Sequence, residues 1–139
     1  MPGTKTKLAP FARKRRSRLL VVTADSQVRG IISEGLAGEK YEVVFVESSD
    51  WLETLLLEKS RFDAVLIDLL KSAENCFEWL PSIRQKQPAT EVIFVSKLDD
   101  MNQWMEAIQC GAYDYLPRPL DREELERVVM NALEKNKAS

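Results

Sequence analysis

Five short apolar runs recur along the chain, and most of them are rich in β-branched residues. The runs are Leu19–Val22, Glu42–Val46, Ala64–Ile67, Val92–Val95 and the more polar Tyr113–Leu116. Continuous apolar runs of this length are typical of strands that are buried on both faces, as in a parallel sheet. The pattern therefore predicts a sheet of parallel strands.

Between these runs, apolar positions recur at the three- and four-residue spacing of an amphipathic helix. The apolar stripes are Val28/Ile31/Ile32, Leu52/Leu55/Leu56, Cys76/Trp79/Leu80/Ile83, Met101/Trp104/Met105/Ile108 and Leu125/Val128/Val129/Ala132. Pro81 is expected to bend or shorten the third of these helices. Alternating strands and helices with short connections predict an α/β fold, with right-handed crossovers and helices on both faces of the sheet.

The residue composition limits the kinds of catalytic and metal site that this chain can form. A chain of 139 residues suits one domain, and it contains no histidine, which excludes a Ser–His pair, a histidine metal ligand and a phosphohistidine step on this chain. The two cysteines, Cys76 and Cys110, lack a CxxC spacing and are predicted to stay reduced. The apolar runs are too short to span a bilayer and no signal-peptide pattern precedes them. We therefore expect a soluble, cytoplasmic protein without membrane insertion.

Charge divides the chain into unequal parts. Seven basic side chains and no acidic one lie in the first 18 residues, although the whole chain has a formal charge of −2. We expect residues 1–17 to form a basic flexible arm, residues 18–134 the folded domain, and residues 135–139 a tail or the beginning of a linker. A contact of the arm with nucleic acid, an acidic partner or an anionic membrane surface, or a role as a transit peptide, remains open.

Candidate chemistry follows from the strand ends. In an open α/β sheet, sites form beyond the carboxyl ends of the strands. The residues that follow the strands are Thr23, Ala24 and Asp25 after strand one, Asp68 after strand three, Ser96 and Lys97 after strand four, and Arg118 after strand five. A carboxylate, a hydroxyl and a guanidinium group make a suitable set for a phosphoryl group: a nucleophile, a hydrogen-bond donor and a fixed cation. The first turn, Thr23–Ser26, has no glycine, which argues against a dinucleotide or Walker-type site.

These residues carry a specific resemblance. Over residues 18–134 the chain resembles the receiver domain of bacterial two-component response regulators. The matching pieces are Phe62–Asp68, Ser96, Gly111–Leu116 and the Arg118-Pro119 pair. The most distinctive string is Gly-Ala-x-Asp-Tyr-Leu-x-basic-Pro. The resemblance implies a flavodoxin-like, or CheY-like, doubly wound sheet of five parallel strands flanked by five helices.

The resemblance also implies roles. Asp68 would be the phosphoacceptor, Ser96 would contact the phosphoryl oxygens together with Arg118, and Ser96 and Tyr115 would form the switch. A cis peptide is implied before Pro119. The chain would then be a phosphorelay signalling domain rather than an enzyme.

The implied partners are a sensor histidine kinase, a downstream output domain or protein, such as one that regulates transcription, and a second copy of the chain. They would bind the face of the fourth helix, fifth strand and fifth helix, where Met101, Trp104 and Tyr115 lie. Core packing is the alternative for these three side chains. Tyr113 and Tyr115 are two positions apart and are expected to share a sheet face.

The chain departs from the family pattern around the metal. Receiver domains hold Mg²⁺ with two acids at the end of strand one, and this chain has Thr23 and Ala24 there. Asp25, Asp68 and the backbone carbonyl of Leu70 remain as weak candidate ligands. Asp25 is alternatively the N-cap of the first helix.

Two further departures bear on Asp68. The family's lysine before the proline is Arg118 in this chain, and the loop after Asp68 lacks the usual proline and Asp-Gly pair. Asp68 and Arg118 are alternatively a plain salt bridge, and Ser96 is alternatively a helix cap.

Two other functions stay open beside the phosphorylated switch. One is a pseudo-receiver, an interaction module that never takes a phosphoryl group. The other is a flavin- or nucleotide-binding enzyme on the same fold, against which the glycine-free first turn argues.

Overall fold

A computed structural model describes residues 16–47, 61–68, 79–97, 101–109 and 111–138. The strands are β1 (Ser17–Val22), β2 (Tyr41–Val46), β3 (Ala64–Asp68), β4 (Glu91–Lys97) and β5 (Asp114–Arg118). The helices within these residues are α1 (Ser26–Gly35), α2 (Trp79–Lys86), α3 (Met101–Gln109) and α4 (Arg122–Ala138). Within these residues strands and helices alternate as the apolar pattern predicts, except between β2 and β3, where residues 48–60 are not described.

The strands form one five-stranded sheet in the order β2-β1-β3-β4-β5, and every pairing is parallel. Val22 at the end of β1 lies opposite Val46 on one side and Ile67 on the other. The chain therefore leaves β1 toward one edge of the sheet and returns to its other side with β3. This switch in strand order is the place where α/β sheets form their sites, and the doubly wound fold class is confirmed.

Alternation along the strands sends side chains to two apolar layers. On β3, Val65 and Ile67 join the layer that contains Leu80 and Ile83 of α2. Ala64 and Leu66 of the same strand join the opposite layer, with residues of α1 and α4. Because β3 is buried on both faces, its run of apolar residues is continuous. Asp68 breaks that run at the end where the site lies.

Several element bounds differ from the sequence prediction. Strand β3 includes Asp68, and β5 runs from Asp114 to Arg118, so the strands carry the polar residues at their own ends. Helix α4 continues to Ala138, past the position where we expect the tail to begin. Pro81 lies in α2, and because the residues before Trp79 are outside the described part of the chain, its effect on the helix stays a prediction.

Tyr113 corrects one expectation. It packs against the layer of α1 and α4, whereas Tyr115 is buried in the opposite layer. The expectation of a shared face is wrong because Tyr113 precedes β5, which begins at Asp114, and the two-residue alternation holds only inside a strand.

Some predicted features lie outside the described residues. They are most of the basic arm, the predicted second helix around Leu52, Leu55 and Leu56, both cysteines, and Leu70. In the part of the chain that the structure describes, no helix is long and apolar enough to cross a membrane.

Candidate functional site

Asp68 ends the central strand of the sheet, and its side chain is only 1% exposed. Both carboxylate oxygens accept hydrogen bonds from Nη2 of Arg118, each at 2.5 Å. Oδ2 also accepts a hydrogen bond from Oγ1 of Thr23 at 2.6 Å. A carboxylate removed from water to this extent needs such partners, because an unpaired buried charge costs several kcal/mol, on the order of 3 or more.

Arg118 ends β5, which is separated from β3 by β4. Its side chain therefore passes over the carboxyl end of β4 to reach Asp68. Pro117 and Pro119 flank it, and the Arg118-Pro119 peptide is cis, as the resemblance implies. Nη1 of Arg118 donates to Oδ2 of Asp25 at 2.8 Å, so one guanidinium group joins two carboxylates. The planar fork of arginine suits this geometry, in contrast to the point charge of lysine.

Asp25 has two tasks at once. Its Oδ1 accepts a hydrogen bond from the backbone N–H of Gln27 at 2.8 Å, which makes it the N-cap of α1. Its Oδ2 pairs with Arg118. The Gln27 N–H holds the pKa of Asp25 below its usual value, and Arg118 lowers it further, while partial desolvation acts in the opposite direction. Asp25 is thus ionised at neutral pH.

The charge state of Arg118 follows from its surroundings. Burial lowers the pKa of the guanidinium group, but the hydrogen bonds and charges of Asp68 and Asp25 outweigh that effect and raise the pKa above its ordinary value. Its Nε atom is buried and has no hydrogen-bond partner within the described residues. The site thus contains one permanent cation between two acids.

The role of Thr23 is what the sequence reasoning missed. The sequence places Thr23 at the end of strand one, as a position where an acid is lacking, yet its hydroxyl donates to Asp68 and accepts from the backbone N–H of Asp25 at 3.0 Å. The parallel register gives a hint: Val22 lies opposite Ile67, so the next residues, Thr23 and Asp68, are neighbours. Thr23 therefore links the β1–α1 turn to the central carboxylate.

The donor set does not fit Mg²⁺, which prefers several free oxygen ligands in octahedral geometry. Three of the four carboxylate oxygens of Asp25 and Asp68 are bonded to Arg118, and the fourth caps α1. Ala24 offers no side-chain oxygen. Among the described residues no group of three or more acidic, histidine or cysteine side chains surrounds a metal position. Leu70, the remaining candidate ligand, lies outside them.

Ser96 and Tyr115 lie near the site on neighbouring strands. Ser96 is 2% exposed and follows Val95, which is the register partner of Asp68. Tyr115 is 9% exposed and lies opposite Phe94, with which it shares an apolar layer. Strand alternation places Ser96 on the side of Phe94 and Tyr115, and Asp68 on the other side. The switch role of Ser96 and Tyr115 stays a prediction.

The predicted partner face is described in part. Met101 and Trp104 are located on α3, and their side chains are outside the described part of the structure. On the same helix Met105 is 48% and Ile108 37% exposed, so this end of the apolar stripe faces solvent instead of the core. Met130 on α4 is also exposed.

Curated relatives of the chain are transcriptional regulators. The DNA-binding transcriptional regulator NtrC of Bradyrhizobium sp. (strain RP501 Parasponia) is 33% identical over 118 residues, which are 83% of this chain and 24% of the relative. NtrC of Salmonella typhimurium is 30% identical over 118 residues, covering 85% of this chain and 25% of the relative. The chain thus spans about a quarter of the length of these relatives.

Solved structures and a family model agree with this match. The signal receiver domain of an HD domain-containing protein from Pseudomonas fluorescens Pf-5 has a TM-score of 0.78 at 25% identity, covering 90% of this chain and all of that one. A response regulator from Thermotoga maritima shares the fold, with a TM-score of 0.78 at 20% identity, covering 86% of this chain and 99% of that one. The model of the response regulator receiver domain matches residues 19–130. With its five-stranded sheet and the acid at the end of β3, the chain belongs to the response regulator receiver domain family.

Proposed function

We infer that this receiver domain, a signalling domain of the two-component type, accepts a phosphoryl group on Asp68 and alters a partner surface in response. The observation that carries the proposal is the contact between a nucleophile and a fixed cation. Asp68 lies at the carboxyl end of the central strand with Nη2 of Arg118 at 2.5 Å from both of its oxygens. Such a pair provides both the attacking oxygen and a group that neutralises phosphoryl charge.

The transfer exchanges one bond for another. An Asp68 oxygen forms a new P–O bond to the phosphoryl group that a sensor histidine kinase carries on its histidine. The P–N bond breaks, its electron pair stays on the imidazole nitrogen, and that nitrogen takes a proton from solvent. Once Asp68 is an acyl phosphate, its charge lies on the phosphoryl oxygens, and the guanidinium fork of Arg118 is suited to bind them with two hydrogen bonds.

Access requires a local opening. The Asp68 side chain is 1% exposed, and Arg118 occupies both of its oxygens in this structure. The Arg118 fork therefore has to leave at least one oxygen before the attack. This movement starts at the end of β5, which also carries Tyr115. We expect Ser96 and Tyr115 to pass the change to the face formed by α3, β5 and α4. These elements are the fourth helix, fifth strand and fifth helix of the sequence prediction.

The partner surface lies on that face. Exposed Met105, Ile108 and Met130 support it, because large exposed apolar side chains often mark interaction sites. We assign Met101 and Trp104 of α3 and the buried Tyr115 of β5 to this face. Its partners would be an output domain or protein, or a second copy of the chain. The NtrC relatives are named as DNA-binding transcriptional regulators, which favours an output in transcription. We place the domain in the cytoplasm and regard the basic arm as a candidate contact to nucleic acid.

The pseudo-receiver is the second candidate, and one observation favours it. Every carboxylate oxygen of Asp25 and Asp68 already has a hydrogen-bond partner within the protein. In this alternative the cluster is a structural cross-link, and the partner face binds without a phosphorylation step.

A small phosphodonor separates the two functions. Wild-type protein is incubated with acetyl phosphate or phosphoramidate, and its intact mass is measured together with that of Asp68→Asn and of Asp121→Asn, a matched change at an exposed aspartate. If Asp68 is phosphorylated, the intact mass of the wild type and of Asp121→Asn increases by one phosphoryl group, and the mass of Asp68→Asn does not increase. An adduct that persists in Asp68→Asn contradicts the assignment. No adduct with either donor, while a metal-dependent receiver reacts in parallel, supports the pseudo-receiver.

A further inference from the structure

The geometry points to Arg118 as the resident cation of this site, in the place of a divalent metal ion, so that the domain does not bind Mg²⁺ there. Arg118 fills this place in the resting site, whether or not Asp68 accepts a phosphoryl group. Its basis is the arrangement of one guanidinium group between two carboxylates.

The first step is position. Nη2 of Arg118 contacts both oxygens of Asp68, and Nη1 contacts Oδ2 of Asp25 at 2.8 Å. A cation that bridges the two acids has to lie between them, where the guanidinium group already lies. The side chain of Arg118 is 21% exposed, so the group is enclosed by the protein and is not a loosely held surface charge.

The second step is the supply of ligands. Oδ1 of Asp25 caps α1 through the Gln27 N–H, and the hydroxyl of Thr23 both donates to Asp68 and accepts from the Asp25 N–H. An arriving ion would have to compete with each of these bonds. Mg²⁺ gives up its own water reluctantly and accepts little deviation from octahedral geometry, so it exchanges poorly into such a site.

The third step is charge. Two carboxylates with one guanidinium group between them have a net charge of about −1, whereas two carboxylates without it have a net charge of about −2. A divalent ion beside Arg118 would gain less attraction from the acids and would also be repelled by the guanidinium group. Arginine stays protonated in proteins at neutral pH, so deprotonation does not relieve this repulsion.

Metal titration of the wild-type protein tests the inference directly. Mn²⁺ binding is followed by electron paramagnetic resonance, and the midpoint of thermal unfolding is recorded against MgCl₂, with NaCl at equal ionic strength as the reference. At millimolar Mn²⁺ we expect no binding that depends on Asp68. We also expect MgCl₂ to shift the unfolding midpoint no more than NaCl does. Saturable Mn²⁺ binding in the wild type that disappears in Asp68→Asn would overturn the inference.

The second part of the experiment tests whether the protein gains Mn²⁺ binding when Arg118 is replaced. Arg118→Met keeps an unbranched apolar stem but is shorter and has no charge, so it releases three carboxylate oxygens from the guanidinium group. We expect this variant to bind Mn²⁺ measurably and to rise in unfolding midpoint with MgCl₂, and we expect the additional change Asp25→Asn to remove both effects.

Arg122→Met is the matched control, because Arg122 is an arginine of α4 whose side chain is 60% exposed and pairs with Glu126. Binding by Arg118→Met no tighter than by Arg122→Met would contradict the inference. If Arg118→Met does not fold, the wild-type titration decides alone. Neither arm uses a phosphodonor, so a failure here is distinct from a failure of the proposed function.

Discussion

At residue scale, the two oxygens of Asp25 explain why its role is ambiguous in the sequence. A carboxylate after a strand and before a helix fits an N-cap and a site ligand equally well. The structure gives one oxygen to each role, Oδ1 to the Gln27 N–H and Oδ2 to Arg118. Sequence spacing alone cannot show this division, because it depends on the rotamer of one side chain and on a partner 93 positions away.

Acid stability provides the test at this scale. The pKa of Asp25 is lower in the folded state than its ordinary value of 3.8, so the unfolded chain binds more protons as the pH falls below that value. The contribution of Asp25 to stability is therefore present above about pH 3.8 and is lost as the pH falls through the folded-state pKa. We expect urea unfolding of Asp25→Asn to depend less on pH in this range than that of the wild type.

The control is Glu34→Gln, a change at an exposed carboxylate of the same helix. Identical pH dependence of the wild type and Asp25→Asn below pH 3.8, measured under the same conditions, would refute the linkage.

At the scale of elements, α4 shows how far the apolar pattern reaches. The stripe of Leu125, Val128, Val129 and Ala132 predicts both the helix and its buried face, and all four side chains are buried. The stripe on α3 predicts its helix but not its exposure, since Met105 and Ile108 face solvent. A helix whose apolar stripe packs on the core and a helix whose stripe is partly exposed have the same apolar spacing. Periodicity alone therefore does not distinguish the two kinds of helix.

Two truncations on α4 measure this difference. Leu125 is fully buried and touches the α1 region, where a Cβ added at Gly35 would lie 3.3 Å from its Cδ2. We expect Leu125→Ala to lower the free energy of unfolding by about 2–4 kcal/mol, because it leaves a cavity. Met130→Ala, on the exposed side of the same helix, should change it by less than about 0.5 kcal/mol. Urea unfolding of the two variants provides the comparison, and equal losses would show that the two faces are not packed as described.

At the scale of the whole molecule, the class of fold and the edge of the sheet that carries the site follow from the sequence. Alternating strands and helices imply a parallel sheet, and the residues after each strand gather at one edge. What the sequence leaves open is the reach of Arg118 across the end of β4, because it depends on register and on the twist of the sheet. Whether the guanidinium group meets Asp68, Asp25 or solvent is therefore visible only in three dimensions.

Strand order also predicts unequal protection across the sheet. The side chains of β3 are buried from Ala64 to Ile67, while every residue of the edge strand β2 is only half-buried. We expect the backbone amides of β3 to exchange with solvent only by global unfolding, and those of β2 by smaller openings that require less free energy. Hydrogen exchange followed by NMR checks this order, and equal protection of β2 and β3 would contradict it.

The bond between Arg118 and Asp25 joins positions that are 93 residues apart. Contacts between such distant positions incur a large loop-closure entropy and are established after local structure. The cluster forms only when the end of β5 and the β1–α1 turn lie at the same edge of the sheet, so its presence reports that these two distant parts of the chain have both docked.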